Sequence, residues 1–255
     1  MPTRFVDFMR VLVPMAGDDT TPEGEQVNIY GNHVGSWNFA ATAYLNRWKV
    51  KIYYEHYFDD HSQMFFQYGR WKDGHIGLEI TFPKNRFIDT FVYEGLGTKD
   101  QTGPMLYDSF WGEFEEQISA KDNYYNHYLY QGWQHWGMGI GNPLLPGPIY
   151  NKNGQITFIS NRVLAHHIGF CGSPCQSLSY RMLLSYSRHW GTYDNPLNEI
   201  KKQFNSLFEV TYAPQQLKGW SFTVSGAMDR GSILGNNYGG MLVIRKQGII
   251  KSGNK

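Results

Sequence analysis

Apolar and polar residues alternate with a period of two along most of the chain. From Val27 to Leu45 the odd positions run Val27, Ile29, Gly31, His33, Gly35, Trp37, Phe39, Ala41, Ala43 and Leu45, while the even ones include Asn28, Asn32, Ser36, Asn38 and Thr42. Successive side chains of a strand point to opposite faces, so this run makes a ribbon with one apolar and one polar side. The alternation recurs at Trp48, Val50, Ile52, Tyr54 and Phe58 against Lys49, Lys51 and Glu55, and at Ile76, Leu78, Ile80 and Phe82 against Gly77, Glu79 and Thr81. Later it sets Leu178, Tyr180, Met182, Leu184 and Tyr186 against Ser177, Ser179, Arg181 and Ser185. Phe204, Phe208, Val210 and Tyr212 then oppose Asn205, Glu209 and Thr211, and Trp220, Phe222, Val224 and Met228 oppose Ser221, Thr223, Ser225 and Asp229. Helical spacing is nearly absent. The pattern predicts about ten strands, near 3–12, 25–44, 47–58, 74–82, 87–97, 154–170, 177–190, 203–213, 219–229 and 239–249.

The connections alternate in length. Those around Asn46, 83–86, 171–176 and 213–218 are short, while 13–24, 59–73, 98–153, 191–202 and 230–238 are mostly long and rich in Gly, Asp, Asn and Pro. Lipid satisfies no backbone group, so a sheet that crosses it must close, with an apolar outside and a polar lumen alternating along each strand. The expected fold is therefore all-β: an up-and-down antiparallel transmembrane β-barrel, one domain over residues 1–255, with 98–153 as a long loop or plug. Short turns and the C-terminus would face the periplasm and the long loops the outside. Tyr44, Trp48, Tyr212 and Trp220, at strand ends beside short turns, fit an aromatic girdle. A soluble sandwich would also alternate. Against it stand the length of the Val27–Leu45 run, well past the roughly 5 or 6 residues usual for a soluble strand, and polar faces richer in Ser, Thr, Asn and Tyr than in Lys and Glu.

Charge and composition narrow the function. Lys and Arg number 23 against 22 Asp and Glu, which removes the electrostatic handle for nucleic acid. The longest unbroken apolar run is Met241 to Ile244, so no helix crosses a membrane. The start, Met-Pro-Thr-Arg-Phe-Val-Asp-Phe, shows no secretory signal, so an exported form would be mature or truncated. Cys171 and Cys175 cannot form a structural zinc site alone, and the adjacent His166 and His167 would point to opposite faces of a strand. A small disulfide and two free thiols both remain open. No metal or cofactor is expected.

The 98–153 connection is too long for a plain loop. It holds Tyr107, Phe110, Trp111 and Phe114, then Asp122-Asn-Tyr-Tyr-Asn-His127, then Gln131-Gly-Trp-Gln-His-Trp-Gly-Met-Gly-Ile-Gly141. Aromatic faces stack on the C–H face of a sugar ring while amides and imidazoles bond its hydroxyls. Tyr124, Tyr125, His127, Trp133, His135 and Trp136 are therefore the carbohydrate-binding candidates. The structural alternative is a plug whose aromatics pack against the barrel wall. Glu79 and Glu94 on neighbouring strands, or Glu113, Glu115 and Glu116, would be the acid/base pair of a soluble β-rich glycoside hydrolase. Acidic residues facing a lumen account for them as well, and no catalytic residue is assigned. No Gly-x-Ser-x-Gly, His-Glu-x-x-His or phosphate loop occurs, and Gly137-Met-Gly-Ile-Gly141 reads as a flexible turn. His166-His167 and His189 beside Trp190 are candidate ligands or pH-sensitive groups, with strand histidines at a lumen or rim position as the simpler reading; Lys201-Lys202 and Arg245-Lys246 read as strand-end or lumen charges, with contact to an anionic glycan as an alternative that the spacing does not select.

Several strings are more specific than alternation. Asp122-Asn-Tyr-Tyr-Asn-His127, Gly132-Trp-Gln-His-Trp-Gly-Met-Gly-Ile-Gly-Asn-Pro-Leu144, Ala165-His-His-Ile-Gly169, Ser185-Tyr-Ser-Arg-His-Trp-Gly-Thr-Tyr193, Gly219-Trp-Ser-Phe-Thr-Val-Ser-Gly-Ala227 and the closing Ile244-Arg-Lys-Gln-Gly-Ile249 resemble the Wzi-type capsule assembly proteins, over roughly residues 25 to 250. The resemblance implies a barrel in the outer membrane of a Gram-negative bacterium that binds exported capsular polysaccharide at the cell surface, lectin-like and without a catalytic reaction. Its implied partners are capsular polysaccharide, outer-membrane lipid and the capsule export machinery. Barrels of that family have about 18 strands, a small periplasmic helical element and a signal peptide, so this chain would correspond to the C-terminal part of one. A porin or transporter fragment is the nearest competing reading; it requires an open lumen, whereas the capsule anchor requires one capped by residues 98–153.

Overall fold

The computed structural model describes residues 4–13, 15, 17–21, 26, 33–59, 73–85, 87–101, 122–127 and 131–248. A short helix, α1 (Phe5–Leu12), precedes four strands, β1 (Gly35–Leu45), β2 (Trp48–Phe58), β3 (Gly74–Thr81) and β4 (Thr90–Gly97). A small hairpin, β5 (Gln134–His135) and β6 (Met138–Gly139), lies inside the long connection. Five strands follow: β7 (Val163–Cys175), β8 (Leu178–Gly191), β9 (Pro196–Tyr212), β10 (Trp220–Gly231) and β11 (Asn237–Lys246). All but the hairpin form one nine-stranded sheet in the order β1-β2-β3-β4-β7-β8-β9-β10-β11. Every neighbouring pair is antiparallel, so the sheet is an up-and-down meander whose edge strands, β1 and β11, run in the same direction.

The register turns the sequence alternation into two faces. One row across the sheet reads Ala41, Ile52, Leu78, Tyr93, Ile168, Leu184, Ser206, Met228, Tyr238. The adjacent row reads Ala40, Tyr53, Gly77, Glu94, His167, Ser185, Asn205, Asp229, Asn237 and lies on the other face. The apolar face stands open: Ile52 is 54 %, Phe208 50 % and Leu242 63 % exposed. Monomeric soluble proteins rarely expose contiguous apolar patches larger than a few hundred Å2. The buried apolar core of the described residues sits on the polar side instead, where Leu96, Tyr125, Leu145, Phe158, Val163 and Ala165 pack together at one end of the sheet.

Differences from the expected elements have local causes. Residues 3–12 read as a strand, but Phe5–Leu12 is helical: the Asp7 carboxylate accepts from the Arg4 backbone N–H at 3.2 Å and from its guanidinium, closing the first turn. Asp18 joins this cluster, bonded by the Thr20 hydroxyl and by Arg10 at 2.7 Å, and these bonds hold its carboxyl well below the usual carboxylate range. The expected strand over 154–170 begins only at Val163, because 154–162 is spent on the core and its hydrogen bonds. The long connection expected over 191–202 shrinks to 192–195, as β9 continues up to Pro196 after a bulge beside Gly191. On the short-turn side, Asn46 takes the positive φ of 58° that a two-residue hairpin requires. Trp48, Tyr212 and Trp220 lie on the apolar face beside the short turns, whereas Tyr44 falls on the polar one.

Polar side chains fasten the 122–162 segment to the sheet. Asn161, fully buried, donates to the Asn123 side-chain oxygen at 2.6 Å and the Tyr124 carbonyl at 2.8 Å, and accepts from Gln101 at 2.7 Å. Asn126 exchanges two bonds of 2.8 Å with the backbone of Phe158. The Asn residues of the Asp122–His127 string thus have a structural task. Replacing Asn161 by Leu leaves several of these groups unpaired in a dry site, and a loss of about 1–3 kcal/mol is expected in the denaturant midpoint of the folded protein.

Candidate functional site

A cavity of about 580 Å3 lies between the polar face of the sheet and the 122–162 segment. Its size falls within the roughly 300–1,000 Å3 typical of small-ligand sites. The sheet contributes Ser36, Glu55, Tyr57, His75, Glu94, His167 and Ser185, and the covering segment contributes Tyr124, Tyr125, Trp133 and the stretch from Gly141 to Leu145. Antiparallel register brings the sheet residues together: Glu55 pairs with His75, and Glu94 with His167. His75 bridges the two carboxylates, with Nε2 at 3.5 Å from Glu94 and Nδ1 at 3.9 Å from Glu55. Ser36 donates to Glu55 at 2.6 Å, and the Tyr57 hydroxyl donates to the same carboxylate at 3.4 Å. The Tyr53 hydroxyl donates to Glu94. It reaches across Gly77, its register partner, where a Cβ would lie 2.0 Å from the Tyr53 ring. His167 Nδ1 is 2.6 Å from the Ser185 hydroxyl.

The opposite side is aromatic. Tyr125 stacks on Trp133, with ring centroids 5.3 Å apart and planes within 13°, and meets the Phe158 ring edge-on at 5.1 Å. Its oxygen accepts from the Asn142 N–H at 2.8 Å, and burial pushes its phenol up from the ordinary range. Gly141, at φ 93°, is required here because a Cβ would stand 2.5 Å from that oxygen.

Of the six carbohydrate candidates, Tyr124, Tyr125 and Trp133 line the cavity. Tyr124 is also a fastener, its hydroxyl donating to the buried Asp73 at 3.1 Å. His127 is half-buried outside the lining and accepts at its carbonyl from Gln131. His135 and Trp136 sit at the tip of the β5–β6 hairpin, away from the cavity, with Trp136 87 % exposed. Trp136 at φ 53° and Gly137 at φ 80° form the two-residue turn there, so the Gly137–Gly141 string is an ordered hairpin. Ser36, Glu55, Tyr57, His75 and Ser185 carry no site signal in the sequence, whereas His167 stands out there only as half of the His166-His167 pair. Their common mark is polar-face parity; Glu55, His75 and Glu94 also lie within three residues of the strand end that leads into a long connection.

Glu79, the other half of the conceivable acid/base pair, points to the polar face but is 3.6 Å from Lys49 and outside the cavity. Tyr107, Phe110, Trp111, Glu113, Phe114, Glu115 and Glu116 lie outside the described residues. Cys171 and Cys175 are free thiols. His166 turns to the apolar face, where its Nδ1 is 2.8 Å from the Tyr93 hydroxyl. Among the described residues, no group of three or more His, Cys, Asp or Glu is placed to hold a metal ion. No protein-family model, no curated protein and no solved structure matches this chain.

Proposed function

We propose that this sheet is part of a closed outer-membrane β-barrel of the Wzi-type capsule assembly kind, and that it holds capsular polysaccharide at the surface of a Gram-negative cell without cleaving it. The observation that carries the reading is the pairing of an uncovered apolar face with a polar face whose cavity is capped by its own chain. A face that is apolar at most positions across the nine strands suits acyl chains, and the polar face behind it suits a hydrated lumen. Residues 131–162 cover part of that lumen, which favours an anchor over an open pore. The cavity offers the two recognition elements of a sugar site, carboxylate and imidazole acceptors on one side and an aromatic stack on the other. Both carboxylates are bonded by Ser, Tyr or His side chains, which suits fixed acceptors for hydroxyl groups better than a pair of proton-transfer groups. Trp136, exposed at the hairpin tip, is a second aromatic contact for a long chain. The capsule export machinery remains the implied source of the polysaccharide.

The test is to fold residues 1–255 in detergent or lipid vesicles and measure heat-modifiable migration together with binding of purified capsular polysaccharide. Folding that requires detergent or lipid, with binding reduced at least tenfold by Trp133→Ala, is the expected outcome. A folded, monomeric protein in buffer alone overturns the membrane reading.

A further inference from the structure

We propose that the cavity takes an uncharged, hydroxyl-rich sugar unit and turns away uronates and other acidic units, so that the protein engages its polysaccharide at neutral residues of the chain. The inference rests on the glycan reading of this cavity and adds a charge rule to it.

The rule follows from what lines the cavity and what does not. Two carboxylates, Glu55 and Glu94, face it, and among the described residues no Lys or Arg does. His75 and His167 also line it, His75 lying between the two carboxylates at 3.5 Å from Glu94 and 3.9 Å from Glu55. The acidic side chains of the lining thus outnumber its Lys and Arg among the described residues. Glu55 and Glu94 are only 28 % and 29 % exposed, so solvent screens them incompletely.

The cations nearby are committed elsewhere. Lys51 lies over the Tyr53 ring at 5.2 Å, and Lys49 is 3.6 Å from Glu79. On the far side Lys99 and Arg188 stack on Trp190 at 5.2 and 5.0 Å, and Arg162 lies over Tyr193 at 4.5 Å. A bound carboxylate would thus meet two like charges with no Lys or Arg partner among the described residues, whereas a hydroxyl finds acceptors that only accept. The apolar side needs no charge at all: Tyr125, Trp133 and Leu144 offer ring face and aliphatic surface to C–H groups.

Paired probes isolate charge from shape. Oligogalacturonate can be compared with its methyl ester, and cello-oligosaccharide with its C6-oxidised form, each pair of equal length. Binding to residues 1–255 folded in detergent is followed by titration calorimetry above neutral pH. The uncharged member of each pair is expected to bind about tenfold or more tightly, with the gap narrowing as salt is added. Glu94→Gln and Glu55→Gln, each checked for heat-modifiable migration, are expected to shrink the ratio of affinities within each pair by about threefold or more, whatever they do to the affinity of the uncharged member. Equal or tighter binding of the acidic members overturns the charge rule and leaves the glycan reading standing. A gap unchanged in both Gln variants likewise overturns it, because the discrimination then arises elsewhere. Failure of every oligosaccharide to bind overturns the glycan reading of the cavity itself.

Discussion

Arginine in place of Ile52 is expected to destabilise the lipid-folded sheet by about 2–4 kcal/mol, enough to remove most of the heat-modifiable species. Ile52 lies near the middle of β2 on the apolar face, between Ala41 and Leu78, and more than half of its side chain is exposed. In water such a position is a surface site, where a charge changes stability by a few tenths of a kcal/mol. In a bilayer it is the most costly place for one. The matching control is Thr42→Arg, one residue along β1 from Ala41 and on the opposite face, where a small effect is expected. Urea titration in vesicles distinguishes the cases: a large loss for Ile52→Arg with little for Thr42→Arg places acyl chains against the apolar face, and equal small losses refute that placement.

Phe158→Ala is expected to cost about 3–5 kcal/mol, concentrated in the cover rather than the sheet. Phe158 is 1 % exposed, meets Tyr125 edge-on, and through its backbone donates to the Asn126 side-chain oxygen and accepts from the Asn126 amide. Truncation leaves a cavity beneath the segment that carries Trp133. Protease cleavage within 131–162, red-shifted tryptophan emission and weaker oligosaccharide binding should appear together, while migration on gels stays that of the folded sheet. Loss of the sheet as well would mean that cover and sheet fold as one unit.

How far the sequence reached follows from the range of each signal. Parity is local, so alternation located nine strands of the main sheet and assigned their two faces, including the opposite orientations of His166 and His167. It misread Phe5–Leu12, because eight residues of mixed Phe, Val, Asp and Arg satisfy a two-residue period about as well as a helical one until the bond between Asp7 and Arg4 decides. It also stopped β9 short, since the polar stretch 198–203 looks like loop until its pairing with β8 is known. The cavity is a different kind of object. Glu55, His75 and Glu94 are brought together by the β2–β3 and β3–β4 pairings, and His167 joins them because β4 pairs with β7 across the long connection. The up-and-down order was legible, but the register that aligns these four side chains was not. The aromatic strings were legible as unusual, but not that Tyr125 would stack on Trp133 while Trp136, three residues further on, would be turned outward.

The direction of the two edge strands limits how the proposed barrel could close. β1 and β11 run the same way, so joining them directly makes a parallel seam in an otherwise antiparallel wall. A second copy does not remove the difficulty. A two-fold axis along the barrel sets β11 of one copy parallel to β1 of the other, and an axis across it makes antiparallel seams only by turning one copy upside down in the bilayer. An all-antiparallel seal therefore calls for an odd number of additional strands between β11 and β1. Cysteines introduced at outward positions of the two edges, with one fixed at Phe39 and the other moved through Tyr238, Leu242 and Ile244, would report the result: a parallel seam gives a cross-linking pair at one register, and intervening strands, spaced about 4.8 Å apart, keep every pair separate.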